Sequence, residues 1–98
     1  MSNITHELQK LKENFKDYLA DKADIFVTKV SNIYDGIKQT LKSKSQDVQD
    51  KCAENQKSIE SAIEDLKSVS ENNKEKAYNT ILEKLKKLND KIESNTSK

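Results

Sequence analysis

Stepping along the chain eleven residues at a time from Ile4 meets Ile4, Phe15, Phe26, Ile37, Val48, Ile59, Ser70, Ile81 and Ile92, eight of nine apolar. A second column, Leu8, Leu19, Val30, Leu41, Cys52, Ile63, Lys74 and Leu85, fails once. A third, from Leu11 through Ile33, Leu66, Ala77 and Leu88, is interrupted by Lys22, Lys44 and Asn55. Eleven residues in three turns is close to the pitch of a relaxed α-helix, so these columns form a nearly straight apolar stripe on one side of it. A spacing of seven fails: from Ile4 it gives Leu11, Tyr18 and Ile25, then Asn32 and Gln39. A left-handed coiled-coil seam therefore drifts off the stripe within a few turns.

Sheets are disfavoured by the lack of turn residues. The 98-residue chain has one glycine, Gly36, and no proline, and reversals between strands draw on both. Hydrophobic residues make up 33% of the chain and charged residues 36%, enough for one small domain whose apolar surface is laid out in stripes. The expected fold is all-α, a single helical domain over residues 1–98 built from two or three long amphipathic helices. These close as a hairpin or small bundle, or open into an extended helix. Gly36 costs a helix about 1 kcal/mol against alanine. The polar stretch Lys42 to Gln46 and the segment SVSENNK at 68–74 interrupt the stripe. Helices are expected over about 4–41, 47–68 and 74–93, with a frayed tail at 94–98.

All the cations are lysine, and 18 of them balance 17 acids to a net charge of +1. Nucleic acid is not expected as a partner: the chain as a whole does not attract it, and there is no arginine fork to read base edges or phosphates. On a helical wheel the two signs separate. Glu13, Asp17, Asp24, Asp35, Asp50, Glu83 and Asp90 lie opposite the apolar centre with one cation, Lys57. Lys12, Lys22, Lys29, Lys44, Lys51, Lys67, Lys74 and Lys84 flank the apolar side with one acid, Glu7. A lysine stem can lie along apolar surface while its ammonium reaches water or a phosphate layer, whereas a carboxylate on so short a stem cannot. The helix is thus suited to an anionic lipid surface, with Lys12, Lys22, Lys29, Lys44, Lys51, Lys67 and Lys84 against the headgroups. The bland alternative is a solvated helix that keeps short acids off its packed face.

Phe15, Tyr18, Leu19, Phe26, Val30, Ile33, Tyr34, Ile37 and Leu41 make the first forty residues the most apolar and aromatic part of the stripe. They are the expected anchor, facing lipid or a partner helix, and ordinary core packing explains them equally well. Tyr34 and Tyr78 are expected toward the flank, with wet hydroxyls. Cys52 stands on the stripe, where a free thiol acts as a small hydrophobe; a lone cysteine has no internal disulfide partner. His6 is expected to be solvated, with no ligand set around it and no metal. Neither a phosphate-binding glycine loop nor a serine with a positioned histidine is present. No enzymatic activity, cofactor or small-molecule substrate is therefore expected. The opening MSNITHELQKLKE has no apolar run, so a secretory signal is not expected, and the protein is placed inside the cell, in the cytoplasm or peripheral to a membrane.

The eleven-residue period, the boundary lysines and the acids opposite resemble the amphipathic repeats of exchangeable apolipoproteins, perilipins and synucleins over residues 4–92. The resemblance lies in the pattern. The synuclein KTKEGV string and the proline-punctuated units of apolipoproteins are absent. It implies reversible binding to a lipid surface, with a self-packed bundle in its absence. The other reading is a structural or adaptor bundle that packs on itself, as a homo-oligomer, or on a partner helix.

Overall fold

Residues 3–21 and 23–96 are described by the structure, a computed structural model. Its elements are α1 (Asn3–Glu13), α2 (Phe15–Asp21), α3 (Ala23–Lys42), α4 (Gln46–Lys51), α5 (Ala53–Ser68), a 3-10 turn (Glu71–Asn73) and α6 (Lys74–Thr96). No strand occurs among the described residues.

The helices run as four antiparallel arms: α1 with α2, then α3, then α4 with α5, then α6. Side chains near each reversal meet first and those farther away meet later. The Tyr18 and Phe26 rings are 5.7 Å apart, and Ile4 lies beside Gly36. Tyr34 of α3 bonds to Glu60 of α5. Ser58 of α5 receives Lys84 of α6, and Asn55, one turn earlier, receives Lys91. Asn89 of α6 reaches Thr5 of α1, closing an up-down-up-down ring of arms.

Six helices in four arms replace the expected two or three long ones. A single helix over 4–41 would be about 57 Å long at 1.5 Å per residue, yet the longest dimension of the molecule is 42 Å. Such a rod would leave its stripe in water, whereas folding back buries it. At the first interruption the backbone N–H and the side-chain Nδ2 of Asn14 both donate to the Lys10 carbonyl, each at 3.0 Å. Asparagine side chains that bond to nearby backbone lower the preference for a helix interior. The third arm bends at Cys52, whose φ of −98° and ψ of −1° keep it near helical geometry. Its N–H still reaches the Val48 carbonyl at 3.2 Å, so α4 and α5 act as one arm.

The core is drawn largely from the eleven-step columns. Phe26, Ile37, Val48, Ile59, Ile81 and Ile92 are buried from the first; Leu8, Val30, Leu41, Cys52 and Leu85 from the second; Leu11, Ile33, Leu66 and Leu88 from the third. Ser70, the polar exception of the first column, falls in the last turn and is exposed.

Gly36 lies inside α3 without a positive φ, so its backbone does not require glycine. A Cβ there would meet Ile4 Cδ1 at 3.9 Å, an ordinary contact. Gly36→Ala is expected to stabilise the bundle by about 0.5–1 kcal/mol. A thermal melt followed by circular dichroism should rise by roughly 2–8 °C; a fall would mean that the α1–α3 seam is too tight for a methyl group.

Candidate binding face

The expected anchor is where the arms close. Phe26, Val30, Ile33, Tyr34, Ile37 and Leu41 are all buried, and Tyr18 and Leu19 pack partly buried against them. Lys22 and the side chain of Phe15 lie outside the described residues. Phe26 is the centre of an aromatic cluster, stacked on Tyr78 with ring centroids 3.9 Å apart and planes 7° from parallel, and tilted at 52° to Tyr18. The cluster ties the first arm and α6 to α3.

Both flank tyrosines depart from their expected place: Tyr34 is 3% exposed and Tyr78 1%. The wheel places them at the edge of the stripe, but in a four-armed bundle each helix has two neighbours, so the buried sector is wider than a single flat surface would cover. Tyr34 Oη donates to Glu60 Oε2 at 2.7 Å, with the Gln56 carbonyl at 3.3 Å. This clasps α3 to α5. Burial pushes the Tyr34 phenol well above its ordinary pKa, and the hydrogen bond to Glu60 and the negative charges of Glu60 and Asp35 push the same way. The Lys38 ammonium sits 5.0 Å over the Tyr34 ring. Burial raises the Tyr78 phenol too.

The lysines expected at headgroups surround this core. Lys12 and Lys29 are exposed on α1 and α3, and each lines a shallow groove along the first arm. Lys51 pairs with Asp47 at 3.3 Å and Lys67 with Glu64 at 3.1 Å, contacts of little net energy because both partners are solvated. Lys44 and Lys84 are half-buried, and Lys84 Nζ donates to Ser58 Oγ. All seven acids of the opposite face are exposed.

The partners of three residues escape sequence reasoning because they are distant along the chain. Lys91 Nζ donates to the Lys51 carbonyl at 2.7 Å and to Asn55 Oδ1 at 3.2 Å, satisfying a helix-end acceptor where α4 meets Cys52. Asn89, 6% exposed, donates to Thr5 Oγ1 at 3.3 Å. Glu60 receives Tyr34. The Cys52 thiol is fully buried, and burial raises its pKa against an opposing pull from Lys91. His6 is exposed. Among the described residues no three His, Cys, Asp or Glu side chains gather as a metal would need. No described helix is long and apolar enough to cross a membrane.

Comparison with protein-family models, curated proteins and solved structures finds no match for this chain.

Proposed function

We propose that this protein is a non-catalytic binder that associates reversibly with an anionic lipid surface, its apolar stripe exchanging the bundle interior for the acyl layer. The reading is carried by the phase of the buried columns across the turns. Ile37 and Leu41 precede the turn at residues 43–45, and Val48 and Cys52 follow it on the same eleven-residue steps. Ile59 and Ile81 stand either side of the next turn, two steps apart. A bundle requires each arm to face its neighbours, but not that one arm continue the stripe of the last. With the turns straightened, the apolar residues from Ile4 to Ile92 share one face, the geometry of an interfacial helix. Charge supports the same reading, since Lys44 and Lys84 are half-buried beside the stripe and the acids of the opposite face are exposed. The resemblance to apolipoprotein, perilipin and synuclein repeats points the same way.

Because the protein alone is already helical, gain of helix is a poor assay. Stacking of Phe26 on Tyr78 should give a near-ultraviolet dichroism band that disappears on phosphatidylserine-containing vesicles while the far-ultraviolet helix signal remains. Retention of that band under saturating vesicles, with no protein floating with the lipid, would sink the proposal. Raising salt from about 0.1 M to 1 M shortens the Debye length from about 10 Å to about 3 Å. Each rim lysine contributes roughly 1 kcal/mol near the surface, so vesicle affinity should fall about tenfold or more across that range.

The alternative of a structural or adaptor bundle draws on how completely the stripe is satisfied within one chain: Ile25 is the one large hydrophobic residue exposed among the described residues. It predicts a near-ultraviolet band indifferent to vesicles and a fold that high salt leaves intact or strengthens.

A further inference from the structure

We propose that the groove between the first arm and α3 binds a phosphate group that carries an alkylammonium, a chemistry shared by soluble amino-phosphates and by the headgroup of an anionic aminophospholipid. The site belongs to the closed bundle, with the stripe still inside, and stands apart from the lipid reading. Its most telling residue is Glu7, the one acid among the lysines that flank the apolar side, to which the lipid reading gives no role.

The groove has a volume of about 450 Å³, within the range of small-ligand sites. Its floor is apolar, formed by Leu11 of α1 and Ile33 of α3, each 3% exposed. Lys10 lines it from α1 and Lys29 from α3. Lysines elsewhere on the bundle have an acid one turn away and pair with it, as Lys51 does with Asp47 and Lys67 with Glu64. Lys29 has none to use: the residues three and four positions away on its helix are Ile25, Phe26, Asn32 and Ile33, and those spacings supply the neighbours on a helix face. Lys10 has Glu7 and Glu13 at such spacing, yet forms an ion pair with neither among the described residues. Glu13 instead accepts from Gln9 Nε2 at 3.2 Å. Asn32 and Tyr18 also line the groove, and they add an amide N–H and a phenol O–H.

Two ammonium groups, an amide and a phenol are donors in search of acceptors. A phosphate monoester offers three terminal oxygens and close to two negative charges at neutral pH, enough for both lysines, whereas a carboxylate offers two oxygens and one charge. Glu7 stands on the α1 wall three residues before Lys10, about 4.5 Å along the helix axis at 1.5 Å per residue. It would repel a bare phosphate, and an ammonium one short alkyl chain from the phosphate answers it. Charge matches in sum as well: two lysines against Glu7 give the groove +1, and an aminoalkyl phosphate carries about −1. A phosphoserine headgroup reaches the same sum, with phosphate and carboxylate for the two lysines and an ammonium for Glu7.

The test titrates phosphoethanolamine into the full-length protein at about 0.1 M salt, following amide resonances by NMR. Saturable shifts at Lys10, Lys29 and the Asn32 side-chain amide are expected. The near-ultraviolet band of the Phe26–Tyr78 stack should persist, because these soluble probes leave the bundle closed; failure here is therefore separable from failure of the lipid reading, which is read from loss of that band on vesicles. Lys29→Gln, an exposed change that keeps a good helix former, should weaken binding about fivefold or more. Glu7→Gln should weaken phosphoethanolamine while leaving inorganic phosphate unchanged or tighter. Soluble glycerophosphoserine distinguishes the two sources: binding at least as tight as phosphoethanolamine in the same groove assigns the lipid headgroup, and weaker binding assigns the free amino-phosphate. Absence of saturable shifts with both probes overturns the proposal. So does an affinity unchanged in Lys29→Gln, or inorganic phosphate binding the parent as tightly as phosphoethanolamine does.

Discussion

Phe26→Ala is expected to lower the stability of the bundle by about 3–5 kcal/mol. Phe26 is fully buried, stacks on Tyr78 at 3.9 Å and touches Tyr18 with ring centroids 5.7 Å apart, so three arms close around it. Truncation removes the transfer free energy of the ring and leaves a void that helices held from several sides do not readily collapse into. Domains of this size are stable by about 5–15 kcal/mol in total, and each kcal/mol moves the thermal midpoint by roughly 4–8 °C. The midpoint should therefore drop by tens of degrees. Urea denaturation followed by circular dichroism measures the change directly, and a loss below about 1 kcal/mol would show that this ring is not central to the packing. Combined with Tyr78→Ala in a double-mutant cycle, the same variant should reveal a coupling of about 0.5–1.5 kcal/mol for the stacked pair.

Alkaline pH should unfold the protein through its buried phenols. Tyr34 and Tyr78 both hold their protons more tightly in the bundle than in the unfolded chain, mainly because burial disfavours the phenolate. Above about pH 10 the unfolded chain releases these protons while the folded one keeps them. The folded state then binds more protons, and stability falls as pH rises. Below about pH 10 this contribution is fully present; above it, each phenol removes up to about 1.4 kcal/mol per pH unit until its own folded pKa is reached. Tyr34→Phe should flatten the alkaline limb of a stability-against-pH curve while leaving the near-neutral slope unchanged. It also removes the clasp on Glu60, for a loss of about 1 kcal/mol at neutral pH. An alkaline limb of equal slope in Tyr34→Phe and the parent would show that Tyr34 is solvated.

The apolar core is largely legible along the chain. Phe26, Val30, Ile33, Ile37 and Leu41 stand at helical spacing on an apolar stripe, and every one is buried. Periodicity finds such residues because a helix turns each of them toward the same side. It does not find Asn89 against Thr5, Lys91 against the Lys51 carbonyl or Tyr34 against Glu60. Those pairings depend on which arm lies beside which, and nothing local to either residue encodes it. Tyr34 and Tyr78 show the same limit: a wheel built for one helix on one surface places them at a wet edge, and a second neighbouring arm covers that edge.

The residue pattern alone determines that the chain is helical and which side of each helix is apolar, because both follow from interactions within a few residues: the scarcity of turn formers and the angular position of each side chain. The number of arms is a tertiary outcome. The apolar columns run on from Ile4 to Leu41 with no proline and with glycine only at Gly36, yet α2 ends at Asp21 and α3 begins at Ala23. A straight rod would leave the residues from Ile4 to Leu41 facing water, and removing that apolar surface from water outweighs the loss of a turn of helix.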